Sequence, residues 1–457
     1  MEQIKKIISD SPVARWGILL LISFTMAVNY YFYDAISPLK QLLTEKLGFS
    51  SSDYGFFISA YSFPNVFLLM AVLGGIIADK FGIRITGSTF VLFMLIGSII
   101  TAYGATDYYN DGGIGYGFMN SFLVSYSPGL KMMSLGFLIF GLGAETSIVV
   151  ITKIVVKWFK GKELALALGI NLAIARLGSA LSLNITPMLI EPNWTTPIWF
   201  GALLMAIGVL TFLAYLIFDV KIDKQKISDN IIDEEPFRFA DIIKLLKNPS
   251  FIYISLLCVT FYSAVFPFIK YAPDLLQNKF GLSISLSSNI TSMVYYGTIL
   301  FTPIFGWFTD NKGKSATIMI FGSILLIFVH LTISLTNITP YVPMFMLGIA
   351  FSLIPAAMWP AVAKIVDESR LGTAYGLMFS IQNIGLWAFP ILIGLVLDKS
   401  NPGVAETIAS GGSAVFDYTN PILMLAFLGV LGFIFAILLK RADKKSEYGL
   451  ELPNIQN

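Results

Sequence analysis

Long apolar runs separated by short polar connections set the pattern of this chain. They fall at 16–39, 54–78, 85–105, 132–156, 163–190, 195–218, 250–273, 286–309, 316–336, 341–363, 372–397 and 420–439. Runs of about 20 residues with few charges have the length of a membrane-spanning helix. Twelve of them predict an all-α integral membrane protein. The run opening at Trp16 exceeds the ~7–15-residue core of a cleaved signal and is read as a retained first span. The expected organisation is an N-terminal segment 1–14, a six-helix half 15–218, a linker 219–249, a second six-helix half 250–440 and a tail 441–457. Asp233-Glu-Glu-Pro236 marks the centre of the linker, with a short surface helix expected across Phe237–Leu246.

Basic residues test the count, because cytoplasmic connections collect Lys and Arg. With the N-terminus inside, 23 of the 30 fall on the cytoplasmic side, 6 lie outside or near the outer ends, and Arg176 is left over. That asymmetry favours twelve spans with both termini cytoplasmic. Composition agrees: 13% of residues are charged, about half of the ~25% usual in soluble domains. The mild net charge of +2 gives no reason to expect nucleic acid. A single cysteine, Cys258, excludes an intrachain disulfide and leaves a thiolate metal site without ligands. His330, alone in an apolar run, reads as a packed helix residue. No cofactor and no metal are expected, and no nucleophile–base pair inside the spans suggests an enzyme.

Two charges stand mid-span. Glu145 lies 12 residues before Lys157, and Arg176 lies 14 residues after Lys162. At ~1.5 Å per residue, these are depths of ~18 and ~21 Å in a ~30 Å hydrocarbon core. An unpaired charge there costs at least ~2.5–3.5 kcal/mol, so both are expected to face one polar space and to pair. A buried ion pair stabilises little beyond an apolar replacement; the pair is therefore read as a substrate site, against the simpler reading of a structural bridge.

The halves repeat. Gly75-Ile-Ile-Ala-Asp79-Lys80-Phe-Gly82-Ile-Arg84 follows span two, and Gly306-Trp-Phe-Thr-Asp310-Asn-Lys-Gly313-Lys314 follows span eight. The offset then changes, which fits an insertion at 106–128, and Glu145 and Arg176 align with the neutral Ser352 and Asn383. Two similar six-helix halves with substrate between them is the architecture of the major facilitator superfamily. The signature at 75–84 resembles that superfamily's motif between helices two and three.

A closer resemblance covers nearly the whole chain. Asn29-Tyr-Tyr-Phe-Tyr-Asp34, Tyr61-Ser-Phe-Pro-Asn65, Trp158-Phe-Lys-Gly-Lys-Glu163, Ala175-Arg176-Leu-Gly178-Ser179, Ala264-Val-Phe-Pro-Phe268, Leu371-Gly-Thr-Ala-Tyr-Gly376 and Ser380-Ile-Gln-Asn383 are similar, in order, to the lysosomal dipeptide transporter family (major facilitator superfamily domain-containing protein 1). The resemblance implies passive dipeptide transport, with Glu145 and Arg176 forming the peptide site. For a eukaryotic lysosomal member, it also implies a membrane-anchored accessory protein. The expected partners are a small-molecule dipeptide and the lipid bilayer, with no nucleic acid and a monomeric transport unit. A bacterial inner membrane is the first reading of location; the formal sequons at Asn193 and Asn337 keep a lysosomal membrane as the alternative.

Further residues extend the site. An arginine can grip a carboxylate through two parallel hydrogen bonds, and Glu145 can hold an ammonium. Ser352, Trp359, Asn383, Trp387, Tyr262 and Tyr295 are candidate contacts from the second half. Asp34, near the outer surface, reads as an outer gate, a second ammonium contact or a solvated helix end. Lys131 and Lys270 are expected to snorkel to the interface. Gly75, Asp79, Lys80 and Arg84, with Gly306 and Asp310, form a candidate cytoplasmic latch; the alternative is an ordinary helix cap with inside-facing positive charges. Phe137 stands where the superfamily commonly carries an arginine linked to proton coupling. A paired Glu145 would in addition stay ionised, and both points favour a uniporter working by alternating access. An organic-anion or sugar-acid transporter, with proton coupling open, is the alternative cargo, and a non-transporting sensor or scaffold is the alternative class.

Overall fold

The computed structural model describes residues 10–225, 239–367 and 370–454, and all regular elements among them are helical. In the first half run α1 (Pro12–Ala35), α2 (Lys40–Leu47), α3 (Ser51–Ser59), α4 (Phe63–Phe67) and α5 (Met70–Gly104). Then come α6 (Asp107–Asn110) and α7 (Tyr116–Asn120) in the outer insertion, followed by α8 (Pro128–Phe159), α9 (Leu164–Ile185) and α10 (Thr196–Gln225). After the linker helix α11 (Phe239–Leu246) follow α12 (Pro249–Phe280), α13 (Ile284–Lys312), α14 (Ser315–Leu335) and α15 (Tyr341–Ile365). The chain closes with α16 (Leu371–Ser400), α17 (Val404–Ala409) and α18 (Thr419–Ser446). Asp233–Pro236 lies outside the described residues. Among the described residues, ten segments are long and apolar enough to cross a membrane.

Two departures from the apolar pattern matter. The expected polar loop at 79–84 shrinks to one residue, Gly82, whose φ of 79° and ψ of 157° only glycine adopts freely. The chain reverses there, because the Thr86 hydroxyl reaches back to the Ile77 carbonyl at 3.3 Å. Span two is not one helix either: it breaks after Ser59, resumes as α4 with Pro64 in its first turn, and turns again at Leu69, where φ is +52°. Irregular backbone at membrane depth is stable only where protein or a water-filled cavity surrounds it.

Both halves are built by the same pairings. α1 packs on α9 and α10 as α12 packs on α16 and α18, and α5 on α8 and α10 as α14 on α15 and α18. With the face bearing the chain ends called inner, contact between halves concentrates on the outer side, where α3 meets α16, α2 meets α17 and α9 meets α13. A Cβ on Gly55 would lie 2.2 Å from the Pro390 carbonyl, whereas one on Gly169 or Gly372, on the inner side, meets nothing within 4 Å. The halves touch outside and part inside, which is an inward-facing arrangement.

Buried charge seals the outer side. Asp34 and Lys270 are each 1% exposed. The Lys270 ammonium donates to Asp34 Oδ1 at 2.7 Å and to the Tyr33 carbonyl at 2.5 Å, and Tyr295 donates to Asp34 Oδ2 at 2.9 Å. A second pair lies beside it: Lys40 donates to Asp274 at 2.8 Å, and the Tyr418 hydroxyl donates to the same carboxylate. Each pair has one partner in either half. Lys270 therefore does not snorkel; a carboxylate and a carbonyl already satisfy it inside the seal. Lys131 does not snorkel either, because its ammonium donates to the Phe122 carbonyl at 2.7 Å and closes the insertion loop. His330 is a packed residue with both ring nitrogens against backbone carbonyls of Leu326 and Ala264.

On the inner side, ion pairs lie within the first half. Asp219 accepts from Arg84 at 2.6 Å, Lys157 at 2.7 Å and Tyr215 at 2.6 Å. Arg15 donates to both Glu163 oxygens at 2.8 and 3.1 Å, and that hydrogen bonding holds the Glu163 carboxyl below its usual range.

Lys270→Met strands a buried carboxylate, a change that costs on the order of 3–5 kcal/mol when one member of a buried pair is removed. Thermal unfolding in detergent should therefore show a clear loss of stability, and adding Asp34→Asn should recover most of it. A double variant as unstable as the single one would show that the pair does not carry the seal.

Candidate functional site

Glu145 and Arg176 stand near the middles of α8 and α9, both half-buried, on the space between the halves. Their surroundings differ. The Arg176 guanidinium lies over three rings, 4.7 Å from Phe351, 5.5 Å from Phe266 and 5.5 Å from Tyr30. Aromatic faces attract a cation without consuming its N–H donors. Nη1 is buried and has no hydrogen-bond partner. Two of the rings come from the second half, so α12 and α15 complete the cation's cage.

Glu145 is met from the break in span two. The Tyr61 hydroxyl and the Asn65 amide face its carboxylate. Asn65 is buried, and neither of its side-chain polar atoms has a hydrogen-bond partner. The break is held in place by close packing, since a Cβ on Gly141 would come within 2.1 Å of the Tyr61 carbonyl. Tyr33 packs on Tyr61 at 4.4 Å and stacks on Phe137, which sits fully buried in this aromatic cluster.

The expected ion pair is not formed: among the described residues no salt bridge joins Glu145 to Arg176. Rings occupy the space around the guanidinium, and Tyr30 lies within electrostatic reach of both charges and of Asp34. The two charged groups are thus separate poles.

The second-half candidates divide. Trp359 donates to the Tyr262 hydroxyl at 3.1 Å, stacks on Phe379 at 4.7 Å and accepts at its carbonyl from Tyr375 at 3.2 Å. Asn383 donates to the Phe379 carbonyl at 3.0 Å and leaves its amide oxygen buried without a partner. Trp387 meets Phe67 edge-on at 5.2 Å. Ser352 is spent on the backbone, donating to the Gly348 carbonyl at 2.9 Å where α15 crosses α13. Tyr295 and Asp34 belong to the outer seal. Sequence reasoning from charge missed Tyr30, Tyr61, Asn65, Phe266 and Phe351. The signal for two of them was the Pro64-centred polar interruption of an apolar span.

The signature residues lie at the inner ends. Asp79 pairs with Lys153 of its own half and is 72% exposed at its side chain; Arg84 pairs with Asp219. In the second copy, Asn454 of the returning tail donates to Asp310 Oδ1 at 2.9 Å. Glu451 accepts from the Thr317 N–H at 2.9 Å beside it. Among the described residues, no salt bridge or hydrogen bond joins Asp79 to the second half.

Comparison with known proteins places this geometry. The family model of the Major Facilitator Superfamily matches residues 22–390 and 270–453 in two overlapping stretches. The lysosomal dipeptide transporter MFSD1 of Homo sapiens is 32% identical over 398 residues, covering 84% of this chain and 80% of that protein. The Mus musculus protein of the same name is 33% identical over 398 residues, with the same coverage. Among solved structures, a nucleoside transporter, NupG, superimposes with a TM-score of 0.71 at 16% identity, covering 92% of this chain and 99% of that one.

A double-mutant cycle checks the separation of the two poles. Residues out of contact give additive effects within about 0.3–0.5 kcal/mol. Glu145→Gln and Arg176→Met should therefore change thermal stability additively in the ligand-free protein. A strong coupling between them would reveal a direct pair.

Proposed function

The chain belongs to the Major Facilitator Superfamily and is an integral membrane transporter; we propose that its cargo is the dipeptide, held between Arg176 and Glu145. The observation that carries this reading is the pair of unneutralised poles. A guanidinium with an unpartnered N–H and a carboxylate facing only neutral donors suit a molecule that brings its own carboxylate and ammonium at a fixed spacing. Charge-assisted hydrogen bonds are the strong ones, and a planar guanidinium offers two in parallel to a carboxylate. The name of the relatives, dipeptide transporters, agrees with that chemistry.

The roles follow from position. Arg176 takes the peptide carboxylate; Glu145, aided by Tyr61 and Asn65, takes the ammonium. Trp359, Tyr262, Trp387 and Asn383 wall the space for peptide side chains. The signature Gly75, Asp79, Lys80 and Arg84, with its copy at Gly306 and Asp310, latches the inner face when the outer side opens. We read twelve crossings with cytoplasmic termini in a bacterial inner membrane: the ten apolar helices, α13, and a further one made by α3, α4 and the part of α5 before Gly82. A single chain is the transport unit.

Transport is read as passive. The argument that an adjacent arginine keeps Glu145 ionised falls away, because the two are not paired. What supports a uniporter is the ring of Phe137 in the place of a coupling arginine and the engagement of Asp34 by Lys270 and Tyr295 in the seal.

The discriminating measurement is thermal stabilisation of the purified protein by dipeptides, free amino acids and hexuronates, since a ligand stabilises in proportion to its occupancy. Dipeptides should stabilise it most; a response to hexuronates alone would overturn the peptide reading. Losing hydrogen bonds to a charged group costs about 1.5–3 kcal/mol, so Arg176→Ala should weaken dipeptide binding roughly tenfold to a hundredfold. Arg176→Lys should recover little of it. In proteoliposomes, dipeptide should equilibrate and exchange, and an imposed pH gradient should not concentrate it. Uphill accumulation driven by protons would replace the uniporter with a symporter.

A further inference from the structure

The outer seal contains a contact of a different kind from its ion pairs. α3 starts at Ser51, and the first N–H groups of a helix have no partner inside it. Here they point at a carboxylate of the other half. The Ser51 N–H donates to Asp398 Oδ1 at 2.9 Å, and the Ser52 N–H and hydroxyl donate to Oδ2 at 2.8 and 2.6 Å. Ser50 and Asp53 form a capping box that meets the remaining needs of this helix start. Asp398 sits in the last turn of α16, where a negative charge opposes its own helix dipole and favours the positive end of another. Glycines let the backbones meet: a Cβ on Gly394 would lie 2.2 Å from the Ser51 carbonyl.

The opposite ends of the same two spans show the reverse. α16 begins after Arg370 with no side-chain cap. Asp79, the carboxylate on span two's inner end, is held by Lys153 and largely exposed. Two antiparallel spans thus each carry a carboxylate near the C-terminal end, and of these only the outer one, Asp398, caps the other span's helix. The second interface is not built this way, since α13 caps its own start with Ser283.

We propose that Asp398 is the residue that sets the resting state of the transporter, by capping α3 across the halves whenever the outer side is closed. Opening the outer side requires the outer ends of α3 and α16 to part, which exposes both the N–H groups and the carboxylate. The cap therefore acts in one state only and holds the inward-facing population. This inference rests on the alternating-access reading but not on the identity of the cargo.

The test is a distance measurement on the full chain in lipid nanodiscs without peptide. Spin labels go on cysteines replacing Glu45 and Ser410, exposed residues on the outer parts of the two halves; Cys258 is buried and does not label. Losing a cap costs about 1 kcal/mol, so Asp398→Ala should raise the outward-open fraction about fivefold. Asp398→Asn, which keeps one acceptor oxygen, and Ser52→Ala, which removes one donor, should shift it less. A distribution that matches the parent in a monodisperse Asp398→Ala protein overturns the assignment. If that variant does not fold, unchanged distributions in both milder variants overturn it equally. Lys270→Met separates the two levels of the argument: a shift there without one at Asp398 removes only the cap, and no shift in any variant removes alternating access itself.

Discussion

An uncompensated charge in hydrocarbon costs more than most side-chain contacts return, and the placement of every central charge here answers to that constraint. Asp34, Lys270, Lys40 and Asp274 meet it by pairing across the halves, deep in protein. Arg176 meets it with three ring faces, which lower the cost of the charge while leaving donors unused. Glu145 has the Tyr61 hydroxyl and the Asn65 amide nearby. The first group is paired, and the other two are not. That difference separates the seal from the site proposed for the cargo.

The halves share their helix pairings but not their chemistry. The first half supplies both charges, and the second supplies rings: Phe266, Phe351, Trp359 and Tyr262. At the positions aligned with the two charges, Ser352 bonds to its own helix and Asn383 to the turn before it. A charge-bearing half and an apolar half suit a cargo with polar ends and a variable middle. The break in span two adds to this asymmetry. By leaving the helix at residues 60–62 and again at 68–69, the chain turns Tyr61 and Asn65 toward Glu145, where an unbroken helix would carry them past it.

At the inner face, the signature carboxylates are both occupied in ways that leave the face open. Asp79 is drawn to Lys153 and Asp310 to Asn454. The tail's Glu451 caps the start of α14, doing for that helix what Asp398 does for α3. Helix ends satisfied from elsewhere in the chain thus occur twice in this protein, at α3 and at α14.

The sequence alone determined the broad plan. Long apolar runs and the asymmetry of basic residues identify a helical membrane protein, since insertion energies add along a segment and need no knowledge of its neighbours. The repeated signature at Asp79 and Asp310 declared two halves, and Glu145 and Arg176 stood out because depth can be counted along a helix. Which charges meet was not legible. The sequence suggested pairing Glu145 with Arg176 and sending Lys270 to the interface; the fold instead joins Lys270 to Asp34 and surrounds Arg176 with rings. Axial depth follows from residue number, but the direction in which a side chain points, and what faces it from helices hundreds of residues away, follows from packing. Only the tertiary structure fixes the rotation of each helix, and with it the difference between a charge paired across the halves and one left without an ion partner.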